Sequence, residues 1–295
     1  MRRVDAPLSL SVMNMRIEPS VLANPDLQFA TLSSGISLPY VERGSGAPMV
    51  FVHGSLCDYR YWDPQLAALS AHYRCIAPSL SHYWPAVEAG IQDEFSWQNH
   101  VDELAEFIDA LDLGPVHLVG HSRGGSVAFN VARQHPHLVE SLTLADPGGP
   151  LQQPGVREAA LPAAAIALRT QAVNLIGQGE VEAGLEMFVD SVSLPGAWKK
   201  STSRFRTMAI DNASTLPKQL RDPLPAYSQH AAGDIACRTL LIDGQRSPKM
   251  FRNNVDTLSQ WIGNAQRQTV AGASHGMNAA SPAVFNRFVH EFVTA

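Results

Sequence analysis

Gly120-His121-Ser122-Arg123-Gly124 is a G-x-S-x-G sequence between an apolar run, Val116–Val119, and a helix-like run, Arg123–Arg133. A serine on such a strand–turn–helix junction has its hydroxyl pushed clear of the sheet, where it can act as a nucleophile. Glycines flank it because strand and helix backbones approach closely there. At glycine's average share of about 7% of residues, the bare pentapeptide arises by chance in roughly one chain of this size in ten. The strand before it and the helix after it therefore carry the specificity. A hydroxyl nucleophile needs a general base, and Gly272-Ala273-Ser274-His275-Gly276-Met277 places a histidine on a loop after the strand-like run Gln268–Val270. The developing oxyanion needs two backbone N–H donors fixed in advance. Arg123, the residue after the nucleophile, is one. Ser55, in His53-Gly54-Ser55 after the apolar run Met49–Val52, is the other.

With His53-Gly54, Gly120–Gly125 and Gly272–Gly276 in this order, the chain resembles the α/β-hydrolase superfamily from about Leu27 to its end. These motifs are specific for a fold and not for a substrate. The resemblance implies an α/β architecture: a doubly wound, mostly parallel sheet with an inserted helical cap. It implies a triad in the order serine, acid, histidine. In most members the acid stands three residues after the glycine that ends a late strand. Here that glycine is Gly244 and the third residue on is Ser247, which cannot carry the charge. Asp146, ending the strand-like run Ser141–Ala145, is the preferred acid, as in some haloalkane dehalogenases and related hydrolases. Asp243, at the edge of the strand before Gly244, is the alternative. Epoxide hydrolases and haloalkane dehalogenases resemble this fold but carry Asp where Ser122 stands, so those reactions are disfavoured.

The elements that must position these residues read as alternating strands and helices. Leu27–Glu42 suggests two strands around Ser33-Ser34-Gly35, followed by strand Met49–His53, helix Trp62–His72 and strand Tyr73–Ala77. Ser96–Leu113 is a strong helix, with Trp97, Val101, Leu104, Ile108 and Leu111 on one stripe, Ser96 as N-cap and Gly114-Pro115 as stop. Strands Val116–Gly120 and Ser141–Ala145 flank the helix after Ser122. The next clean strand is Arg238–Ile242, and closing helices are expected over Asn254–Ile262 and Pro282–Val293. The stretch between, rich in Ala, Leu and Gln, gives the expected division: core 27–150 and 233–295, helical cap 151–232 over Ser122, and a loosely ordered lead 1–26.

Several side chains have two readings. Leu56, Tyr83, Trp84 and Met277 are candidate pocket residues, with Tyr83 and Trp84 equally able to pack their own loop. In Ser81-His82-Tyr83-Trp84-Pro85 the chain departs from the Arg-Gly-His-Gly type of turn that many relatives have there. His53 is expected to bond backbone in the oxyanion loop and His121 to pack beside the sheet. The Arg123 side chain either attracts an acidic substrate or packs. Asp211-Asn212 either bonds substrate or starts a helix.

Bulk properties set the frame. The 295 residues, 45% hydrophobic and 17% charged, suit one large α/β domain with an insertion. A net charge of −5 gives no reason to expect nucleic acid or an anionic membrane as partner. Three widely spaced cysteines, Cys57, Cys75 and Cys237, argue against a disulfide framework and for a reducing, cytoplasmic compartment. No secretory leader, membrane span, metal cluster or cofactor motif is read. The expected partner is a small-molecule substrate, bound by a monomer or homodimer. The expected activity is hydrolysis of a carboxylic ester, lactone or thioester. C–C bond hydrolysis or haloperoxidase-like chemistry on the same triad is the second reading, and a non-catalytic ligand-binding protein on the same fold the third.

Overall fold

The computed structural model describes residues 26–85, 94–152 and 159–295. The expected lead, Asp26 apart, and residues 153–158 of the expected cap lie outside the described residues. Eight strands form one sheet: β1 Leu27–Thr31, β2 Ser37–Arg43, β3 Pro48–Val52, β4 Arg74–Pro78, β5 Val116–His121, β6 Val139–Ala145, β7 Arg238–Gly244 and β8 Ala265–Val270. Their order is β1-β2-β4-β3-β5-β6-β7-β8. β1 and β2 pair antiparallel, as do β2 and β4, and the remaining pairs are parallel.

The parallel strands are apolar almost throughout because helices cover both faces. Successive side chains point to opposite faces, and the core divides accordingly. Val50, Val52, Leu118, Leu142 and Leu144 enter one buried cluster. Met49, Phe51, Val119, Ala145 and Ile242 enter the other. Helices α2 (Trp97–Ala110), α3 (Arg123–Gln134) and α10 (Lys249–Trp261) contribute Val101, Val127 and Val255 to the first. Helices α1 (Asp63–Leu69) and α12 (Pro282–Thr294) contribute Leu66 and Phe285 to the second. Burying each such side chain is worth about 1.5–3 kcal/mol.

Between β6 and β7 the chain forms helices α4 (Ala163–Gly177), α5 (Val181–Val192), α6 (Ala197–Lys200), α7 (Ser203–Asp211), α8 (Thr215–Arg221) and α9 (Gln229–Gly233). The base of this insertion is closed by backbone bonds from Gln152 N–H to Tyr227 O (2.8 Å) and from Tyr227 N–H to Pro150 O (2.9 Å). It has its own apolar cluster, including Ala172, Leu185, Phe188, Trp198 and Leu216, into which Leu56 projects from the loop after β3.

Some boundaries differ from the sequence reading. α1 starts at Asp63, after a 3-10 turn at Tyr59–Trp62, because Pro64 sits in the first turn, where a missing N–H does no harm. α10 starts at Lys249, directly after Pro248, so Phe251, Val255 and Leu258 form its buried stripe. β8 begins three residues early, at Ala265; its exposed polar edge carries no apolar alternation to read. Asp211-Asn212 ends α7 rather than starting a helix, and Ser214 precedes α8. Ser96 caps α2 as expected, accepting from Gln98 N–H.

Gly120 shows how tightly β5 and α3 are packed. A Cβ there would lie 2.5 Å from Gly124 O and 2.8 Å from the Ala128 Cβ. Gly120→Ala is expected to destabilise the protein by about 1–3 kcal/mol through overpacking. An unchanged thermal or denaturant midpoint would contradict this contact.

Candidate active site

The strand order reverses between β3 and β5, since β3 leads to β4 on one side while β5 lies on the other. In open parallel sheets the crevice at the carboxyl ends of such strands is where ligands bind. Ser55 follows β3, Ser122 follows β5, Asp146 follows β6 and His275 follows β8, so the topology alone brings four sequence-predicted residues to one edge of the sheet.

Ser122 is half-buried, at φ 54 and ψ −120, and is the N-cap of α3. A left-handed backbone at a non-glycine residue stores of order 1–3 kcal/mol and persists only where surrounding structure imposes it. Five non-glycine residues among those described have positive φ: Leu56, His82, Asp112, Ser122 and Asp146. Three of these are the candidate nucleophile, the candidate acid and the residue after Ser55. A Cβ on Gly54 would lie 2.9 Å from the Ser122 Cβ, so the loop after β3 passes directly beside the serine. Among the described residues neither the Ser55 amide nor the Arg123 amide has an acceptor. The Arg123 amide opens α3, whose dipole favours negative charge at that end.

His275 Nδ1 lies 3.0 Å from Asp146 Oδ2, with both side chains buried. Donation from Nδ1–H to the carboxylate leaves Nε2 with a lone pair, which is the tautomer a general base needs. Asp243, the alternative acid, is turned away. Its carboxylate accepts from Thr269 Oγ1 (2.5 Å) and Arg267 Nη2 (2.9 Å). Together with Arg267 and Thr269 it lines a polar cleft of about 340 Å³ that shares no residue with the Ser122–His275–Asp146 group. Ser247 stands where the common acid would be, and its hydroxyl donates to Asp146 Oδ2 at 2.5 Å. The position that lacks a carboxylate thus supports one from the neighbouring strand.

His275 is sandwiched between rings. Phe251 stacks on it with centroids 4.0 Å apart, and the His121 ring lies 4.6 Å away on a path that continues to Tyr61 at 5.2 Å from His121. His121 does more than pack: its Nε2–H donates to the His275 carbonyl at 2.7 Å. Burial pushes His275 down to about 3, with the Arg169 charge adding to the effect. The imidazole is therefore neutral at pH 7 and free to accept a proton. Burial raises Asp146 to about 7, opposed first by the Ser247 hydrogen bond. Burial likewise lowers His121 to about 3 and His53 to about 4.

The remaining predicted residues fall in several places. His53 bonds backbone as expected, donating from Nδ1 to Gly54 O (3.0 Å) and accepting at Nε2 from Leu80 N–H (3.1 Å). Tyr83 is fully buried with its ring against His53, centroids 4.6 Å apart, which is the loop-packing arrangement. Trp84 lies under the Arg60 guanidinium. Leu56 packs into the insertion's cluster, whereas Met277, which starts α11 (Met277–Ala280), is fully buried in the sheet-side core and presents no surface. The Arg123 side chain is buried and paired with Asp222 Oδ2 at 2.8 Å, so its charge is not free for a substrate. Asp211 and Asn212 bond protein rather than solvent: Asp211 pairs with Arg60, and Asn212 donates to Asp58 and accepts from Trp84 N–H. Among the described residues no three His, Cys, Asp or Glu side chains come together as metal ligands, and no helix is long and apolar enough to cross a membrane. Ser247, His121 and Phe251 carry no motif of their own. Of these, only Ser247 was signalled, by its place three residues after Gly244.

A family model described as the alpha/beta hydrolase family matches residues 49–288. The chain belongs to the alpha/beta hydrolase family. Among its relatives is the (E)-2-((N-methylformamido)methylene)succinate hydrolase of Acinetobacter baylyi, 24% identical over 266 residues, covering 87% of this chain and 94% of that one. A shorter match, 33% identical over 129 residues, is to the 2-hydroxy-6-oxo-2,4-heptadienoate hydrolase of Pseudomonas putida and covers 41% of this chain and 45% of the relative. Among solved structures, a bromoperoxidase from Bacillus anthracis superposes with a TM-score of 0.76 at 21% identity, over 91% of this chain and all (100%) of that one. That likeness bears on the fold.

Two outcomes are expected of this alpha/beta hydrolase. Removing the Ser247 hydroxyl takes away a donor that favours the Asp146 carboxylate, so the apparent pKa of the His275–Asp146 pair rises. In Ser247→Ala the acid limb of the kcat/KM–pH profile should move up by about half to one unit, in line with 1.36 kcal/mol per unit. An unmoved limb would separate Ser247 from the pair. The second outcome concerns stability. His53, His121 and His275 take no proton in the fold until pH falls to about 4, 3 and 3, against an ordinary 6.5 in the unfolded chain. Asp146, raised to about 7, holds a proton in the fold over part of this window and offsets one of the three, but the unfolded state still binds more protons in total, so stability rises with pH there and is lost as pH falls from 6.5 toward 3. A denaturant midpoint flat across this range would contradict the buried neutral histidines.

Proposed function

We propose that this chain is a serine hydrolase that cleaves a carboxylic ester, lactone or thioester through an acyl-enzyme on Ser122. The observation that carries the reading is the 3.0 Å contact of His275 Nδ1 with Asp146, one residue beyond a strand that flanks a serine held at φ 54. In the first half-reaction Ser122 Oγ attacks the acyl carbon and its proton passes to His275 Nε2. The carbonyl oxygen takes the negative charge and receives the Ser55 and Arg123 N–H groups. The C–O or C–S bond then breaks, and His275 returns the proton to the leaving alkoxide or thiolate. In the second half, water loses a proton to His275 and attacks the acyl carbon, releasing the acid and Ser122. Asp146 keeps the imidazole in its working tautomer and stabilises the imidazolium.

Arg169 on α4 supports an acidic substrate. Its guanidinium lies over the Phe188 ring, 5.8 Å from the centroid, its charge helps hold His275 unprotonated, and among the described residues no ion pair neutralises it. A carboxylate on the substrate would meet that charge. Succinate and heptadienoate, in the names of the two curated relatives, are carboxylates. The same triad serves C–C hydrolases acting on diketones, and this remains the second reading for an acidic substrate. A ligand-binding protein without turnover would keep the pocket and leave Ser122 unreactive.

A fluorophosphonate probe is expected to label the wild type and not Ser122→Ala, and equal labelling would sink the assignment. Turnover of p-nitrophenyl esters, run in parallel with lactones and thioesters and with neutral and carboxylate-bearing acyl groups, should fall by roughly 10⁴-fold or more in Ser122→Ala, because triad members act as a unit. Labelling without turnover of any of these would favour C–C cleavage.

A further inference from the structure

The two residues whose amides form the candidate oxyanion hole are both gripped, by their side chains, from one helix of the insertion. Ser55 Oγ donates to Gln219 Oε1 at 2.6 Å. The orientation of that amide is fixed from its other end, where Gln219 Nε2 donates to Tyr83 Oη (3.2 Å) and Thr215 Oγ1 (3.1 Å). Arg123 Nη2 donates to Asp222 Oδ2 at 2.8 Å, and Trp97 N–H donates to the same oxygen at 2.7 Å. Gln219 lies in α8 and Asp222 is its C-cap. Arg123 is nearly fully buried, while Asp222, Ser55 and Gln219 are half-buried, so both contacts lie at the edge of the interior.

The two amides differ in what else holds them. Arg123 is the first residue of α3, and the helix fixes the direction of its N–H. Ser55 lies in an irregular turn, followed by Leu56 at φ 60. The described bonds around that turn are His53 to Gly54 O and Cys57 N–H to Gly54 O. Its outer side is held by Gln219 alone among the described side-chain bonds to Ser55. An oxyanion hole works by having its donors in place before charge develops, so a donor on a loosely held turn gives up much of its value.

We infer that α8 positions the oxyanion hole: Gln219 sets the Ser55 amide through its hydroxyl, and Asp222 anchors Arg123 at the opposite side. Gln219 and Asp222 are positioning residues and touch no reacting atom. Docking of the insertion is thereby coupled to the chemical step and not only to substrate access. The inference rests on the acyl-enzyme reading above.

The test uses the full chain, p-nitrophenyl butyrate as substrate and a short alkyl trifluoromethyl ketone as inhibitor. The ketone forms a bond from Ser122 Oγ to its carbonyl carbon, sends the serine proton to His275 and leaves an oxyanion that needs the same two amides. Q219A and S55A each remove the same hydrogen bond, S55A while keeping the backbone amide. Each is expected to lower kcat by about 10-fold to 10²-fold, part of the loss seen when an oxyanion donor is deleted outright. KM should stay within about threefold, because an interaction made in the transition state alone moves kcat. The inhibitor's Ki should weaken by the same factor as kcat. The double variant should be no worse than either single one, since both act through one contact. D222N is expected to lower kcat in the same sense.

Wild-type kcat and Ki in S55A, or a change in KM alone in both S55A and Q219A, would overturn the inference. S55A leaves Gln219 bonded to Tyr83 and Thr215, so it carries the test even if Q219A does not fold. Turnover that survives Ser122→Ala would defeat the acyl-enzyme reading itself, and this inference with it. With Ser122-dependent turnover established, the variant ratios bear on α8 alone.

Discussion

The left-handed backbone of Ser122 constrains the rest of the site. At φ 54 the residue must end β5 and begin α3 without an intervening loop. The strain is held by hydrogen bonds on both sides. Ser122 N–H donates to Ala145 O at 3.0 Å, while Ser122 O accepts from Gly125 N–H (2.9 Å) and Gly148 N–H (2.9 Å). Two of these three bonds run to the end of β6 and to the loop after it, on either side of Asp146. The elbow and the acid are therefore not independently placed. The backbone of Ser122, the candidate nucleophile, ties the β6 loop to it, and Asp146 itself turns at φ 42 with its N–H on Ile242 O.

That coupling gives a physical reason why an acid after β6 can do what an acid after β7 does elsewhere in the fold. β6 lies next to both β5 and β7, so a side chain at its end is one strand spacing from the nucleophile and from the loop after Gly244. The vacated station after β7 is occupied by Ser247, whose hydroxyl reaches the same carboxylate oxygen as His275. A buried carboxylate with one donor would be expensive to ionise, and a second donor lowers that penalty. Ring packing from Phe251 and His121 then removes water from the imidazole, which keeps it neutral between turnovers. Deep burial and the general-base role proposed for His275 are compatible, because in that mechanism its charge exists only transiently.

The sheet, the elbow and the histidine loop were legible because each leaves a local mark: apolar runs, glycines at close approach, a histidine after a late strand. The absence of a carboxylate at residue 247 was enough to direct attention to Asp146, since both strand ends open onto one face. What stayed hidden were contacts between distant segments. His121 reaches the His275 carbonyl across 154 residues, and Ser55 reaches Gln219 across 164. No spacing rule links such positions. Arg123 takes the packed of its two readings, but its partner Asp222, like the partners Arg60 and Asp58 of Asp211-Asn212, lies in a segment that meets it only in the fold. Edge strand β8 was shortened because its residues are exposed and polar, so burial wrote no pattern into them.

The insertion is attached to the sheet domain by apolar packing and by a set of directional polar contacts. Its apolar cluster draws Leu56 from the body of the protein and is otherwise made of its own residues. Met208 of α7 and Tyr227 enter the two sheet-side clusters as well, and directional ties run alongside: Asn212 to Asp58 and to Trp84 N–H, Asp211 to Arg60, Gln219 to Ser55 and Tyr83, Asp222 to Arg123 and Trp97 N–H. Apolar contact tolerates sliding by an ångström, whereas buried hydrogen bonds and ion pairs add little net stability but are lost when geometry shifts. A helical layer held by the second kind of contact has one well-defined seat. Two of its ties, Gln219 to Ser55 and Asp222 to Arg123, end on the turn after β3 and on the first residue of α3, the two places where the proposed mechanism would receive a carbonyl oxygen.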